Sequence, residues 1–112
     1  MKKFKFQLDT VLRYKTQVLD IRLAEHGTAL ANVRRQEGVL EQAVKHREAC
    51  EEEYREMKER GLTIADAMKY ETGIEVLERT VQRETEKLRE LRKIEEQRRA
   101  ALVQAKQETQ SL

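Results

Sequence analysis

The sequence predicts an all-α fold in which two long helices form an antiparallel coiled-coil hairpin. Charged residues make up 39 % of the 112 residues and aromatic residues only 4 %, a composition that suits the narrow seam of a helix pair better than a compact globule. The chain contains no proline, which would break a long helix. Apolar residues recur in the alternating spacing of a left-handed coiled coil, a repeat that disordered chains do not sustain.

Helix 1 is predicted over about residues 8–60. Its first seam position holds Leu12, Leu19, His26, Val33, Leu40, Arg47 and Tyr54, and its second holds Leu23, Leu30, Glu37, Val44 and Glu51. Near the turn the apolar stripe broadens to include Ala43, Cys50 and Met57. Residues 1–7 precede this helix, either as a frayed end or as a tag that docks on a partner.

The turn is predicted at residues 61–63. Gly61 can adopt a positive φ and end helix 1. Thr63 can cap helix 2, with Asp66 in the place of a capping-box acid.

Helix 2 is predicted over about residues 64–112. One seam series is Tyr70, Leu77, Glu84, Leu91, Arg98, Ala105 and Leu112, and the other is Ile74, Val81, Leu88, Glu95, Leu102 and Thr109. Folding at the turn makes Tyr54 face Tyr70, Leu40 face Glu84, His26 face Arg98 and Leu12 face Leu112. The whole chain, residues 1–112, is therefore predicted to be a single domain.

Composition also limits the function. The net charge of +2 argues against nucleic-acid binding, which usually needs a clear basic excess. The single cysteine cannot form an internal disulfide, which indicates a reducing compartment. No stretch approaches the ~18 apolar residues of a membrane span, so we expect a cytoplasmic protein.

The sequence carries no catalytic motif. His46 and Cys50 could share one helical face, but a zinc site normally takes three or four protein ligands. A helix pair offers no pocket to shift the pKa of its carboxylates. We therefore expect no enzymatic activity, no cofactor and no metal.

Charge is distributed unevenly along the chain. The N-terminal stretch is basic and the approach to the turn is acidic. A hairpin would therefore be basic at its open end and acidic near its turn, as expected for a part that joins two different partners.

Two stretches resemble FliJ proteins of the bacterial flagellar export apparatus. Residues 4–15 (FKFQLDTVLRYK) are similar to the start of many members. Glu53-Tyr54-Arg55 before the turn, and Tyr70 followed by residues 74–78 (IEVLE) after it, are similar to a second family pattern. The resemblance covers nearly the whole chain.

The resemblance implies a hairpin similar to the central stalk of rotary ATPases. It implies a monomeric hairpin that promotes assembly and activity of the flagellar export ATPase ring, contacts the export gate protein FlhA and escorts substrate chaperones. Such a protein would be cytoplasmic and peripherally associated with the membrane at the flagellar base.

Site residues follow from the same resemblance. The gate-facing residues would be Tyr54, Ile74 and Leu77, and the ring-facing residues would be Phe4, Phe6, Leu8 and Leu12. Gly73 stands where some members have an aromatic residue. Plain seam packing remains an alternative role for Tyr54, Ile74 and Leu77.

Other functions stay open at this point. One is the equivalent stalk of a virulence type III secretion system, and another is a self-assembling coiled-coil scaffold. Nucleic-acid binding is a more distant alternative.

Overall fold

The computed structural model describes residues 2–111, which contain two α-helices. Helix α1 spans Lys2–Arg60 and helix α2 spans Ile64–Gln110. Helix α1 begins six residues before the predicted start, because residues 2–7 continue the helix instead of fraying. No proline or glycine interrupts the chain before Gly27, so nothing in the sequence stops the helix there.

The turn between the helices has the predicted geometry. Gly61 has a φ of 99°, and its amide donates a hydrogen bond to the Lys58 carbonyl at 3.2 Å. The Thr63 hydroxyl oxygen accepts a hydrogen bond from the Asp66 amide at 3.1 Å. The glycine therefore ends α1 and the threonine caps α2, as predicted.

Replacing Gly61 with alanine should lower the free energy of unfolding by about 1–2 kcal/mol, because a Cβ is disfavoured at positive φ. Gly38→Ala is the matched control. Gly38 lies inside α1 with no atom within 4 Å of the place that a Cβ would take. Alanine there should raise the stability by about 1 kcal/mol. Urea denaturation would measure both, and equal effects of the two variants would contradict this account of the turn.

The two helices pair in an antiparallel way within each of two compact units. Unit 1 comprises Met1–Val33 with Leu91–Leu112, and unit 2 comprises Arg34–Glu90. In unit 1, Lys15 Nζ lies 3.3 Å from Glu108 Oε2. In unit 2, the ring centroids of Tyr54 and Tyr70 are 5.2 Å apart and the rings are stacked. Both contacts match the predicted register to within one residue. The predicted pairing of Leu12 with Leu112 lies outside the described residues.

Each unit has its own apolar core. The buried apolar side chains of unit 1 are Ala29, Val33, Leu102 and Ala105, and those of unit 2 are Tyr54 and Leu88. The two series predicted for α2 are mostly buried or half-buried, although Arg98 is exposed.

The second seam position predicted for helix 1 was wrong in part. Leu23 and Glu37 are exposed, whereas Ala29 is buried and Gln36 is half-buried. Ala29 and Gln36, which face the other helix, follow His26 and Val33 by three residues. The prediction placed the second seam position four residues after them. Ala29 is small and Gln36 is polar, so a repeat of large apolar residues did not reveal these inward positions.

In two predicted layers, the side chains form polar contacts that were not predicted. His26 does not face Arg98, because His26 Nε2 lies 2.7 Å from Glu95 Oε2 while Arg98 forms an ion pair with Glu25. Glu84 has a polar contact that was not predicted, because its carboxylate accepts a hydrogen bond from Gln36 Nε2 at 2.6 Å. A buried carboxylate needs a hydrogen-bond donor, and Gln36 lies about one helical turn from Leu40, the residue predicted to face Glu84.

Candidate interaction surfaces

The first turns of α1 expose several apolar side chains. Phe4 and Phe6 are 71 % and 73 % exposed, and Leu8 and Leu12 are 42 % and 43 % exposed. Phe4, Leu8 and Leu12 follow one another at four-residue intervals and so lie on one side of the helix, while Phe6 lies on another side. All four residues predicted to face the ATPase ring are therefore on the surface of unit 1.

We call residues 2–15 the N-terminal segment. It contains five basic residues and one acidic residue, a net charge of +4. Unit 1 as a whole contains eleven basic and six acidic residues, a net charge of +5. Exposed aromatic rings next to lysines make this segment a candidate contact for an acidic partner.

The predicted gate-facing residues lie in the seam of unit 2. Tyr54 is only 8 % exposed, and its hydroxyl donates a hydrogen bond to Glu71 at 3.0 Å. Ile74 and Leu77 are half-buried. The structure therefore leaves only parts of these two aliphatic side chains available to another protein, and the tyrosine is largely occupied inside the unit.

The stacked tyrosines hold the helices together near the turn. The Tyr70 hydroxyl donates to Glu53 at 3.0 Å, and Lys58 Nζ lies 3.9 Å from the centroid of the Tyr54 ring. Burial, together with the hydrogen bond to Glu71, raises the pKa of Tyr54. The hydrogen bond to Glu53 is the main cause that raises the pKa of Tyr70. Both phenols therefore remain protonated hydrogen-bond donors at neutral pH.

A groove near the turn was not predicted from the sequence. It has a volume of about 380 Å³, and we call it the turn groove. Its lining residues are Cys50, Met57, Leu62, Asp66, Lys69, Tyr70 and Gly73. Gly73 has no atom within 4 Å of the place of a missing Cβ. The broadened stripe at Cys50 and Met57, with a glycine on the opposite helix, was the only signal for this groove in the sequence.

The parts of the two helices that flank the turn carry a net negative charge. Residues 48–75 contain nine acidic and four basic residues, a net charge of −5. Ile64 and Met68, on the other side of α2, are 83 % and 60 % exposed. The turn side of unit 2 thus combines exposed apolar side chains with a net negative charge.

A polar cluster lies in the seam of unit 1. Glu95 is 9 % exposed, and its carboxylate contacts His26 at 2.7 Å and Arg99 Nη2 at 2.6 Å. The hydrogen bonds from Arg99 and His26 lower the pKa of Glu95 to about 2 although burial opposes this shift. The carboxylate is therefore a fixed anion that ties helix α1 to helix α2 at one register.

Residues 2–111 contain no group of three or more histidine, cysteine and acidic side chains that could hold a metal ion. His46 is exposed and Cys50 is half-buried, and neither belongs to such a group within residues 2–111. In the same range, neither helix has a stretch that is long and apolar enough to cross a membrane.

Comparison with known families gave one match. A family model described as "Flagellar FliJ protein" matches residues 4–112. The match therefore includes residues 4–15 of the N-terminal segment and all the residues that line the turn groove. No match was found among curated proteins or among solved structures.

Proposed function

We propose a function for this chain from the premise that it belongs to the flagellar FliJ family, whose model matches residues 4–112. The chain is thus a non-catalytic component of the flagellar protein export apparatus. Within that apparatus it acts as a stalk-like part that promotes assembly and activity of the export ATPase ring. It also links the ring to the export gate protein FlhA and to substrate chaperones.

The exposed N-terminal segment is the observation that carries the proposal for the ATPase ring. Phe4, Leu8 and Leu12 lie on one side of a continuous helix and are open to solvent. Apolar side chains in such a row are the usual anchors of a helix that docks in a groove. The surrounding lysines favour an acidic surface on the ring and would speed the encounter.

The gate contact is proposed at the turn side of unit 2. Ile74 and Leu77 would present their exposed halves to the gate protein. Tyr54 would act indirectly, since its ring holds Tyr70 in place by stacking at 5.2 Å. Contact with a gate at the membrane would keep the protein peripherally associated with the membrane at the flagellar base.

The ring contact can be tested by ATP hydrolysis of the flagellar export ATPase from the same organism, with and without this chain. We expect stimulation by the unmodified chain. Leu8→Asp combined with Leu12→Asp should raise the concentration needed for half-maximal stimulation at least about tenfold, because burying an unpaired carboxylate costs more than 1.4 kcal/mol.

The matched control is Ile64→Asp combined with Met68→Asp. These two residues are also exposed, but they lie in unit 2. This variant should stimulate like the unmodified chain. Absence of stimulation together with absence of co-elution would refute the ring contact, and equal loss in both double variants would refute its location.

A further inference from the structure

We propose that the N-terminal segment of one copy docks in the turn groove of a second copy, so that the chain associates head to tail. This inference goes beyond the proposed function and does not depend on it. It rests on two surfaces of the same chain that complement each other in charge and in shape.

Charge is the first point of complementarity. The N-terminal segment has a net charge of +4, and residues 48–75 around the groove have a net charge of −5. Two copies that meet through these two surfaces attract each other, whereas two equal surfaces repel. Association of like surfaces is therefore disfavoured, and contact between unlike surfaces is favoured.

Shape is the second point. Phe4 and Phe6 extend from the segment with most of their surface exposed. The turn groove has a volume of about 380 Å³, within the range of roughly 300–1,000 Å³ typical of sites that enclose an organic group. Because Gly73 leaves its side of the groove open, a phenyl ring can enter against Met57 and Leu62.

The groove also offers a partner for a lysine. Asp66 lines it and is exposed, so a lysine next to an inserted phenylalanine can pair with its carboxylate. Lys69 lines the groove as well and repels the same lysine, which limits the affinity. A contact made by one short segment is smaller than a standard interface, so the association is weak and depends on concentration.

Each copy supplies one segment and one groove. Such a contact is heterologous and leaves one segment and one groove unused in any open assembly. It covers the N-terminal segment, which the proposed function assigns to the ring, and the turn side of unit 2, which it assigns to the gate. Association of free copies would therefore compete with binding to the export apparatus.

The test is sedimentation equilibrium of the chain alone at about 0.1 M and about 1 M salt, between which the Debye length falls from about 10 Å to 3 Å. We expect the average mass to rise above 13.3 kDa with concentration at the lower salt and to return to that value at the higher salt. A monomeric mass at every concentration would overturn the proposal.

Two charge-reversed variants make the test specific. The first carries Lys2→Glu, Lys3→Glu and Lys5→Glu, and the second carries Glu52→Lys, Glu56→Lys and Glu59→Lys. Each should be monomeric alone, because the net charges of its N-terminal segment and of its residues 48–75 then have the same sign. An equal mixture should associate, because the second variant supplies the unmodified N-terminal segment and the first supplies the unmodified residues 48–75. Absence of association in the mixture would overturn the proposal, as would association of the first variant by itself.

Substitutions of apolar residues separate the groove contact from simple charge attraction. Phe4→Ser combined with Phe6→Ser should abolish association, and so should Gly73→Phe, which fills the groove. Ile21→Ser is the control, since Ile21 is 54 % exposed in unit 1 but lies outside the segment. Equal loss of association in this control would overturn the assignment. The chain alone is measured, so failure of the ring contact has no bearing on the outcome.

Discussion

Replacing Leu88 with alanine is expected to lower the free energy of unfolding by about 2–4 kcal/mol. At 5 % exposure, Leu88 is the least exposed apolar side chain among residues 2–111. Alanine would lose the buried methyl groups and leave a cavity that two helices can close only in part. Urea denaturation followed by circular dichroism would measure the loss.

Val103→Ala serves as the control for this prediction. Val103 is also on α2 but is 48 % exposed, so its replacement should change the stability by no more than about 0.5 kcal/mol. If the two variants lost similar stability, the seam of unit 2 would not be where the structure puts it.

Acid is expected to remove the stabilising effect of Glu95. The folded pKa of Glu95 is about 2, below its ordinary value of 4.5, so the unfolded chain binds the proton more readily. The contribution is therefore complete above pH 4.5 and is lost as the pH falls to about 2. Arg99 and His26 lose their anionic partner over the same range.

Thermal denaturation at several pH values would check this. The unmodified chain should melt at a higher temperature than Glu95→Gln above pH 4.5, and the difference should shrink toward pH 2. Glu78→Gln removes a carboxylate from an exposed position on the same helix. If the melting temperatures of both variants depended on pH in the same way, the contacts of Glu95 with His26 and Arg99 would not be the cause of the effect.

Much of the fold was predictable because it depends on local chemistry. The absence of proline, the glycine at position 61, the threonine at position 63 and the coiled-coil spacing of apolar residues together predict two helices and one turn. The turn then fixes which residues face each other nearby, and the stacking of Tyr54 on Tyr70 follows.

Other features were not predictable because they depend on which side chains find partners. Glu84 and Glu95 have polar neighbours on α1 that a hydrophobic repeat does not reveal. Phe4 and Phe6 are exposed, and their role as a docking tag stays a prediction. The turn groove depends on open space beside Gly73. The sequence shows the apolar stripe at Cys50 and Met57 and the glycine at position 73, but it does not show that these residues line one open space.

The contacts between the helices differ greatly in the length of chain that each one closes. Tyr54 and Glu71 are 17 residues apart, whereas Lys15 and Glu108 are 93 residues apart. Closing the longer loop costs about 1.5 kcal/mol more entropy, at roughly 0.6 kcal/mol for each doubling of length. Folding should therefore start beside the turn and proceed along both helices away from it. Backbone amides that lie furthest from the turn should exchange their hydrogens first.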